Sequence, residues 1–407
     1  MNDGSLHSYF SFNLHAFGCW NMKYYAGKFL FIWLLTGAAL LRGQSASRVK
    51  LIFTGDIMVH KAQLIAARTG NSHDFAPVFR FVRPYFKQAD FVIGNLETTL
   101  GVPPWSGYPL FSSPPTLASA LRNAGFTHVV TANNHALDRG KRGLLRTLYL
   151  LDSVGLQHTG TFASESERDQ QPYVLLKKNG ITLALMNYTF GTNGIPIPDG
   201  VGVNVTDTIR MKKDIERARR VRPDAIVVFL HWGSEYRLHP GSKQRAVERF
   251  LHRQGIRFIV GSHPHVIQPV KVDSSGFTAY SLGNFVSNQR KFPRDGAFML
   301  AVEMEKQNGR VVPVSVQYIP VWVYKNTAAA KPEFEILPSR DFMDDPDYFD
   351  YPWQYARMMR FEEFLRNFMR RYSPRVRLHK SLIPNRQKSK KLTPVGIPRP
   401  RPVLRLP

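Results

Sequence analysis

The sequence predicts an α/β fold whose functional groups collect at the ends of buried strands. Three observations lead there. Short apolar, β-branched runs recur along the chain and each stops at polar residues of the metal-ligating type. Stretches with apolar residues at helical spacing lie between them. With 407 residues and 43% hydrophobic content, the chain can bury a full core and is long enough for one large domain plus extensions.

The elements follow in order. Val49 to Thr54 reads as a buried first strand ending at Gly55 and Asp56. Val78, Phe81, Val82, Tyr85 and Phe86 predict a helix over 77–88. A strand over Phe91 to Ile93 then runs into Asn95 and Glu97, and the Pro- and aromatic-rich loop GVPPWSGYPLFSSPP is long enough to suggest function. A helix over 116–123, closed by Gly125, leads to a strand over 127–131 that ends in Asn134 and His135. A helix over 144–153 comes next. Residues 173–177 and 181–188 read as a hairpin. Helices over 207–220 and 243–254 precede strands over 225–230 and 258–260, the first of which stops at His231. A strand over 278–282 follows, and residues 298–304 pair with 311–318 as an antiparallel edge. The expected domain boundary lies near 325, giving a main domain over 48–325, a helical extension over 326–372 and a disordered Pro/Arg-rich tail over 373–407.

The densest chemistry sits in GSHPHVIQP, where His263 and His265 leave a buried strand two residues apart with Pro264 restraining the backbone between them. In an open α/β sheet, loops from several strand ends face one crevice, so Asp56, Asn95, Glu97, Asn134, His135 and His231 can converge on this pair. A single strand-end Asp is often only a turn former. Three imidazoles, each placed just past a buried strand, are hard to explain by packing. Asp, Glu, Asn and His without Cys suit Mn, Fe or Zn, and the set suffices for one ion or for two about 3.5–4 Å apart. A hydroxide held between the ions would be the nucleophile. Glu235 either orients an imidazole or faces substrate, and Asn284 either shapes the crevice floor or touches substrate.

The termini carry separate signals. From Met22, MKYYAGK is a basic start, Phe29 to Leu41 an apolar run of thirteen residues, and GQSAS a cleavage region near residue 47. Such a run falls short of the roughly 20 residues a membrane-spanning helix needs, so an export signal within 1–47 is expected. The only cysteine, Cys19, lies in that segment. The tail supplies close to half of the +25 net charge, since eleven Lys or Arg and no acid follow from Arg371 onward. That tail would be drawn to an anionic surface, or stay solvated without a partner.

TGDIMVH, IGNLET, TANNHALD, LHWGSEY, GSHPHVIQP and YSLGNF, in this order, resemble the motif set of the bacterial capsule-synthesis CapA (poly-gamma-glutamate synthesis, PGA_cap) family across roughly 51–323. That family is similar in fold to the calcineurin-like metallophosphoesterases, so the resemblance implies a four-layer αββα sandwich. It implies Asp56 as first-strand ligand, Glu97 as bridging ligand, Asn134 as amide ligand and His135 as the acid on the leaving group. His231, His263 and His265 would complete the ligand shells. The pattern is broken at Met58, where an imidazole is expected, and at Asn95, where a carboxylate is expected. His60 could stand in, although surface exposure is the simpler expectation for it.

Two function classes remain. One is a metallophosphoesterase-like hydrolase of the cell envelope acting on an anionic polymer or its precursor, near membrane-bound polymer synthesis machinery. The other is a non-catalytic polyanion-binding accessory component. Nucleic acid is disfavoured as a partner of an exported chain.

Overall fold

The computed structural model describes residues 47–327 and 331–382. The chain enters through β1 (Arg48–Ile57), buried on both faces from Leu51 onward: Val49, Leu51 and Phe53 join one core, Ile52 and Ile57 another. Helix α1 (Lys61–Ala67), β2 (Phe91–Leu96), α2 (Thr116–Ala124), β3 (His128–Val130), α3 (Gly140–Ser153) and β4 (Gln157–Thr159) continue the alternation. The hairpin of β5 (Val174–Lys178) and β6 (Ile181–Thr189) turns through Asn179 and Gly180, both at positive φ. Next come α4 (Thr208–Arg220), whose first amides bond the Asp207 carboxylate, then β7 (Ala225–His231), α5 (Ser242–Arg253) and β8 (Phe258–Ser262). Short strands β9 (Val270–Val272), β10 (Phe277–Ala279) and β11 (Asn284–Val286) lead to the long pair β12 (Gly296–Gln307) and β13 (Arg310–Asn326). β14 (Glu333–Pro338), α6 (Pro352–Tyr372) and β15 (Arg377–Leu378) close the described chain.

These strands make two principal sheets. The first runs β14-β13-β12-β1-β2-β3-β4, with β11 beside the end of β1 and β15 beside β13. The second runs β9-β10-β8-β7-β6-β5. The sheets pack face to face: Leu51, Phe53 and Ile93 of the first share a core with Leu183, Leu185, Val227 and Phe229 of the second. On the outer face of the first sheet, Val92 and Val129 meet Leu117 and Leu121 of α2. On the outer face of the second, Ile226, Val228 and Leu230 meet Met211 and Ile215 of α4 and Leu251 of α5. The result is the four-layer αββα sandwich, and alternate residues of the same strand serve different layers. The carboxyl ends of β1, β2 and β3 and those of β7 and β8 open on one crevice.

Several elements differ from expectation. The helix expected over 77–88 is a 3-10 turn, Ala76–Phe79, and a single helical turn, Arg83–Phe86, because Pro84 has no amide to continue it. The β12–β13 pair is antiparallel but not an edge: β12 lies against β1, and β14 covers β13. The boundary expected at 325 falls inside β13. Residues beyond it complete the same sheet, and Met358, Phe361, Leu365 and Met369 of α6 enter the inter-sheet core. The tail expected to be disordered from 373 is ordered through 382. There Ser373 Oγ accepts the Val270 amide at 2.8 Å, β15 pairs with β13, and the Leu382 amide donates to the Tyr85 hydroxyl at 3.2 Å. The expected export signal and the rest of the basic tail lie outside the described residues. Among the described residues, no helix is long and apolar enough to cross a membrane.

Candidate metal centre

Close backbone approaches position the site. The Asp56 amide donates to the Gly283 carbonyl at 3.0 Å, and a Cβ on Gly55 would lie 1.9 Å from that oxygen, so only glycine permits β1 to pass there. β1 then ends with the Asp56 carboxylate in the crevice. β2 presents Asn95 near its end, and Glu97 follows one residue past the strand, two residues on and toward the same face. After β3, the Asn133 amide donates to the Leu96 carbonyl at 2.8 Å and its oxygen accepts the His135 amide at 3.1 Å, which fixes Asn134 and His135 over β2. β7 and β8 end at His231 and Ser262. His263 and His265 follow at φ of 96° and 57°, a left-handed backbone that non-glycine residues seldom adopt, and the Tyr236 amide holds this loop by donating to the Pro264 carbonyl at 2.7 Å.

The side chains converge. Asp56 Oδ1 accepts from Asn95 Nδ2 at 2.8 Å, and Asp56 Oδ2 lies 3.1 Å from His265 Nδ1. Asn284 Oδ1 is 3.0 Å from the same Nδ1. Both partners are acceptors, so Nδ1 carries the His265 proton and Nε2 keeps its lone pair. That Nε2 faces Glu97 Oε1 at 3.7 Å, and His231 Nε2 lies 3.7 Å from the same oxygen. His231 also meets Ser262 Oγ through Nδ1 at 3.0 Å and Asn134 Oδ1 through Nε2 at 2.7 Å. The His231 and His263 rings are 4.7 Å apart, and Phe190 lies 4.5 Å from His263 at the mouth.

Electrostatics follow from burial. Burial, and then the neighbouring Asp56 carboxylate, pushes the Glu97 carboxyl well above its ordinary range. Burial also opposes ionisation of Asp56, but hydrogen bonds with His265 and Asn95 prevail and its carboxyl lies below the ordinary value. Burial, followed by His263, holds His231 well below the usual imidazole value. His263 is pushed down to about 4 by burial and then by His265. Neutral imidazoles beside carboxylates are the protonation states that bind metal.

The donor set fits a divalent cation. Glu97 Oε1 and His263 Nδ1 are buried without a hydrogen-bond partner, and the orphaned oxygen faces an imidazole nitrogen of His231 and one of His265, each at 3.7 Å. Glu97 with His263 and His265, and Glu97 with Asp56 and His231, each bring ligand atoms within 4.8 Å of one another. Glu97 is common to both groups. Mn, Fe or Zn suits these N and O donors.

The sequence-predicted residues Asp56, Asn95, Glu97, Asn134, His231, His263, His265 and Asn284 thus come together in one crevice. His135 stands beside them, its Nδ1 held by Asp138 Oδ2 at 2.8 Å and its ring edge-on to Phe111. Glu235 is exposed and makes no hydrogen bond to an imidazole among the described residues; the orienting contacts come from Asn284, Asp56 and Ser262. His60 is not on the surface: it is largely buried, packs edge-on to Phe111 and accepts the Asn288 amide at 3.2 Å. Asp138, Asn133 and Ser262 were not anticipated. For Asp138, its place three residues after His135, one helical turn away, was the available signal.

A two-sheet α/β sandwich with a buried Asp, Glu, Asn and His cluster at its strand ends defines a candidate metal-binding domain. Residues 50–289 match the bacterial capsule synthesis protein PGA_cap family, and the chain belongs to that family. It is 30% identical over 295 residues to the capsule biosynthesis protein CapA of Bacillus anthracis, covering 69% of this chain and 70% of that protein. It is likewise 30% identical over 292 residues to the PGA biosynthesis protein CapA of Bacillus subtilis (strain 168), covering 69% and 75%. Among solved structures it is similar to the calcineurin-like phosphoesterase YfkN of Bacillus subtilis, at 12% identity and a TM-score of 0.42, over 81% of this chain and 99% of that one.

Proposed function

We propose that the chain is an exported, envelope-side component of anionic surface-polymer biosynthesis, of the poly-gamma-glutamate type, with a divalent-metal hydrolase centre. The observation that carries this reading is the pair of lone-pair atoms, His265 Nε2 and the unpartnered Glu97 Oε1, facing each other at 3.7 Å inside a buried cluster. Such an arrangement is repulsive unless a proton or a cation lies between them. Asp56, Glu97, Asn134, His231, His263 and His265 would hold one or two ions. A divalent ion there would supply Lewis-acid polarisation of a phosphoryl or acyl oxygen and acidify a water molecule. His135, steadied through Nδ1 by Asp138, is placed to protonate a leaving group from its other nitrogen.

A second reading, a polyanion-binding accessory component without turnover, is favoured by Met58. Methionine offers no imidazole there, and its buried side chain lines a cavity of about 220 Å³ together with Phe75, Phe79 and Leu117 and with polar Gln63 and Asp74. The two readings separate in one experiment. Protein loaded with Mn or Zn is incubated with poly-gamma-glutamate and with phosphoester substrates, beside His135→Ala. Turnover lost in the variant supports the hydrolase. Binding without turnover in both leaves the accessory component, and neither binding nor turnover contradicts both.

A further inference from the structure

Helices α4 and α5 cover the outer face of the second sheet side by side, and the Arg219 guanidinium ties them together by donating to the Gln254 carbonyl. Their acids turn inward. Asp214 is buried with Arg168 and Arg217, and Glu248 is buried with Lys271 and Tyr280. Within the two helices Glu216 is the one exposed acid. Lys212, Lys213 and Arg220 of α4 and Arg245, Arg249 and Arg253 of α5 are exposed and make no ion pair among the described residues. On α4 the outermost line, opposite buried Met211, Ile215 and Ala218, runs Ile209, Lys213, Glu216, Arg220. Ile209 stands on that line 70% exposed, and Val221 just past the helix end is 47% exposed.

We propose that this α4–α5 face is a docking surface for an anionic lipid bilayer. Six unpaired cations on one helical layer repel one another and are complementary to a dense array of phosphates. Exposed apolar side chains at the two ends of α4, Ile209 and Val221, select the partner. At the boundary between headgroups and acyl chains Ile209 enters the apolar region while its flanking cations meet phosphates, whereas a soluble polyanion offers nothing for it to contact. The layer runs along the strands and the crevice lies at their carboxyl ends, so a molecule docked this way leaves the metal centre open at the side. This surface is distinct from the basic tail and does not depend on turnover.

The test uses the full chain and sedimentation with phosphatidylcholine vesicles, with and without phosphatidylglycerol, beside soluble polyglutamate as the competing polyanion. Wild type is expected to partition onto the anionic vesicles only, more weakly as salt rises. Each cation near an anionic leaflet contributes about fivefold, so Lys212→Gln with Lys213→Gln and Arg220→Gln is expected to lower partitioning on the order of a hundredfold with the tail intact. Ile209→Ser is expected to weaken vesicle binding several-fold and leave polyglutamate binding unchanged. Wild type that ignores anionic vesicles, a triple variant that partitions like wild type, or an Ile209→Ser without effect on vesicles would each overturn the proposal. Because these residues lie outside the metal centre, unchanged circular dichroism and metal content in the variants separate this outcome from a failure of the metal reading.

Discussion

Glu97→Gln separates what the centre costs the fold from what it does. The Glu97 side chain is fully buried and repelled by Asp56, with Oε1 making no hydrogen bond. Glutamine keeps the shape and removes the charge. An uncompensated buried charge costs more than an unpartnered amide, so above the ordinary carboxyl range the chelator-treated variant is expected to be more stable than chelator-treated wild type by on the order of 1–3 kcal/mol, a rise of several degrees in Tm. The pH dependence has a definite sign. The folded carboxyl keeps its proton to higher pH than the unfolded one, so wild type loses this part of its stability as pH rises above the ordinary value of 4.5, and the variant does not. Metal reverses the order. A ligand at a hundredfold excess over its Kd adds about 2.7 kcal/mol, and the variant, lacking the oxygen common to both donor groups, gains little of it. Calorimetry in chelator and then in Mn or Zn reads both effects. A chelated variant less stable than wild type that still gains the full metal increment would refute the reasoning and make Glu97 a structural carboxylate.

Other expectations follow from the same geometry. His135→Ala should lower turnover by about 10²-fold or more with metal content unchanged, and Asp138→Asn should lower it less while shifting its pH profile; loss of metal in either would place them among the ligands. His231 and His263 are held below the usual imidazole value of 6.5, so the stability they contribute is present above 6.5 and is lost as pH falls, toward about 4 for His263. Melting curves and metal release across that range check this, and a flat profile would contradict it. Ending the chain at 325 removes β14 and α6, including Met358, Phe361, Leu365, Phe368 and Met369. At about 1.5–3 kcal/mol each their burial is comparable to the whole stability of a domain. The truncated chain should fail to fold, and a soluble, cooperatively melting fragment would contradict that.

The candidate site residues are legible because each follows an apolar run long enough to be a buried strand, as His231 follows Ala225–Leu230 and His263 follows Phe258–Val260. What spacing could not supply is contact across the chain. The roles of Asn284 and Ser262 depend on which loops meet, and Asp56 meets Asn95 only because glycine at 55 lets β1 pass the Gly283 carbonyl. The C-terminal segment was misplaced for a different reason. Glu333–Pro338 carries the alternation of a strand in Phe334 and Ile336, and α6 the apolar stripe of a core helix, but both lie beyond the boundary expected near 325. Pro84 was the overlooked signal in the region read as one helix.

The most direct test of the central claim is elemental analysis of residues 47–382, as purified and after Mn and Zn loading, beside the double variant His263→Ala, His265→Ala. One or two equivalents of divalent metal in wild type, lost in the variant, is the predicted result. No stoichiometric metal in either protein, or equal metal in both, would contradict a metal centre built on these two imidazoles.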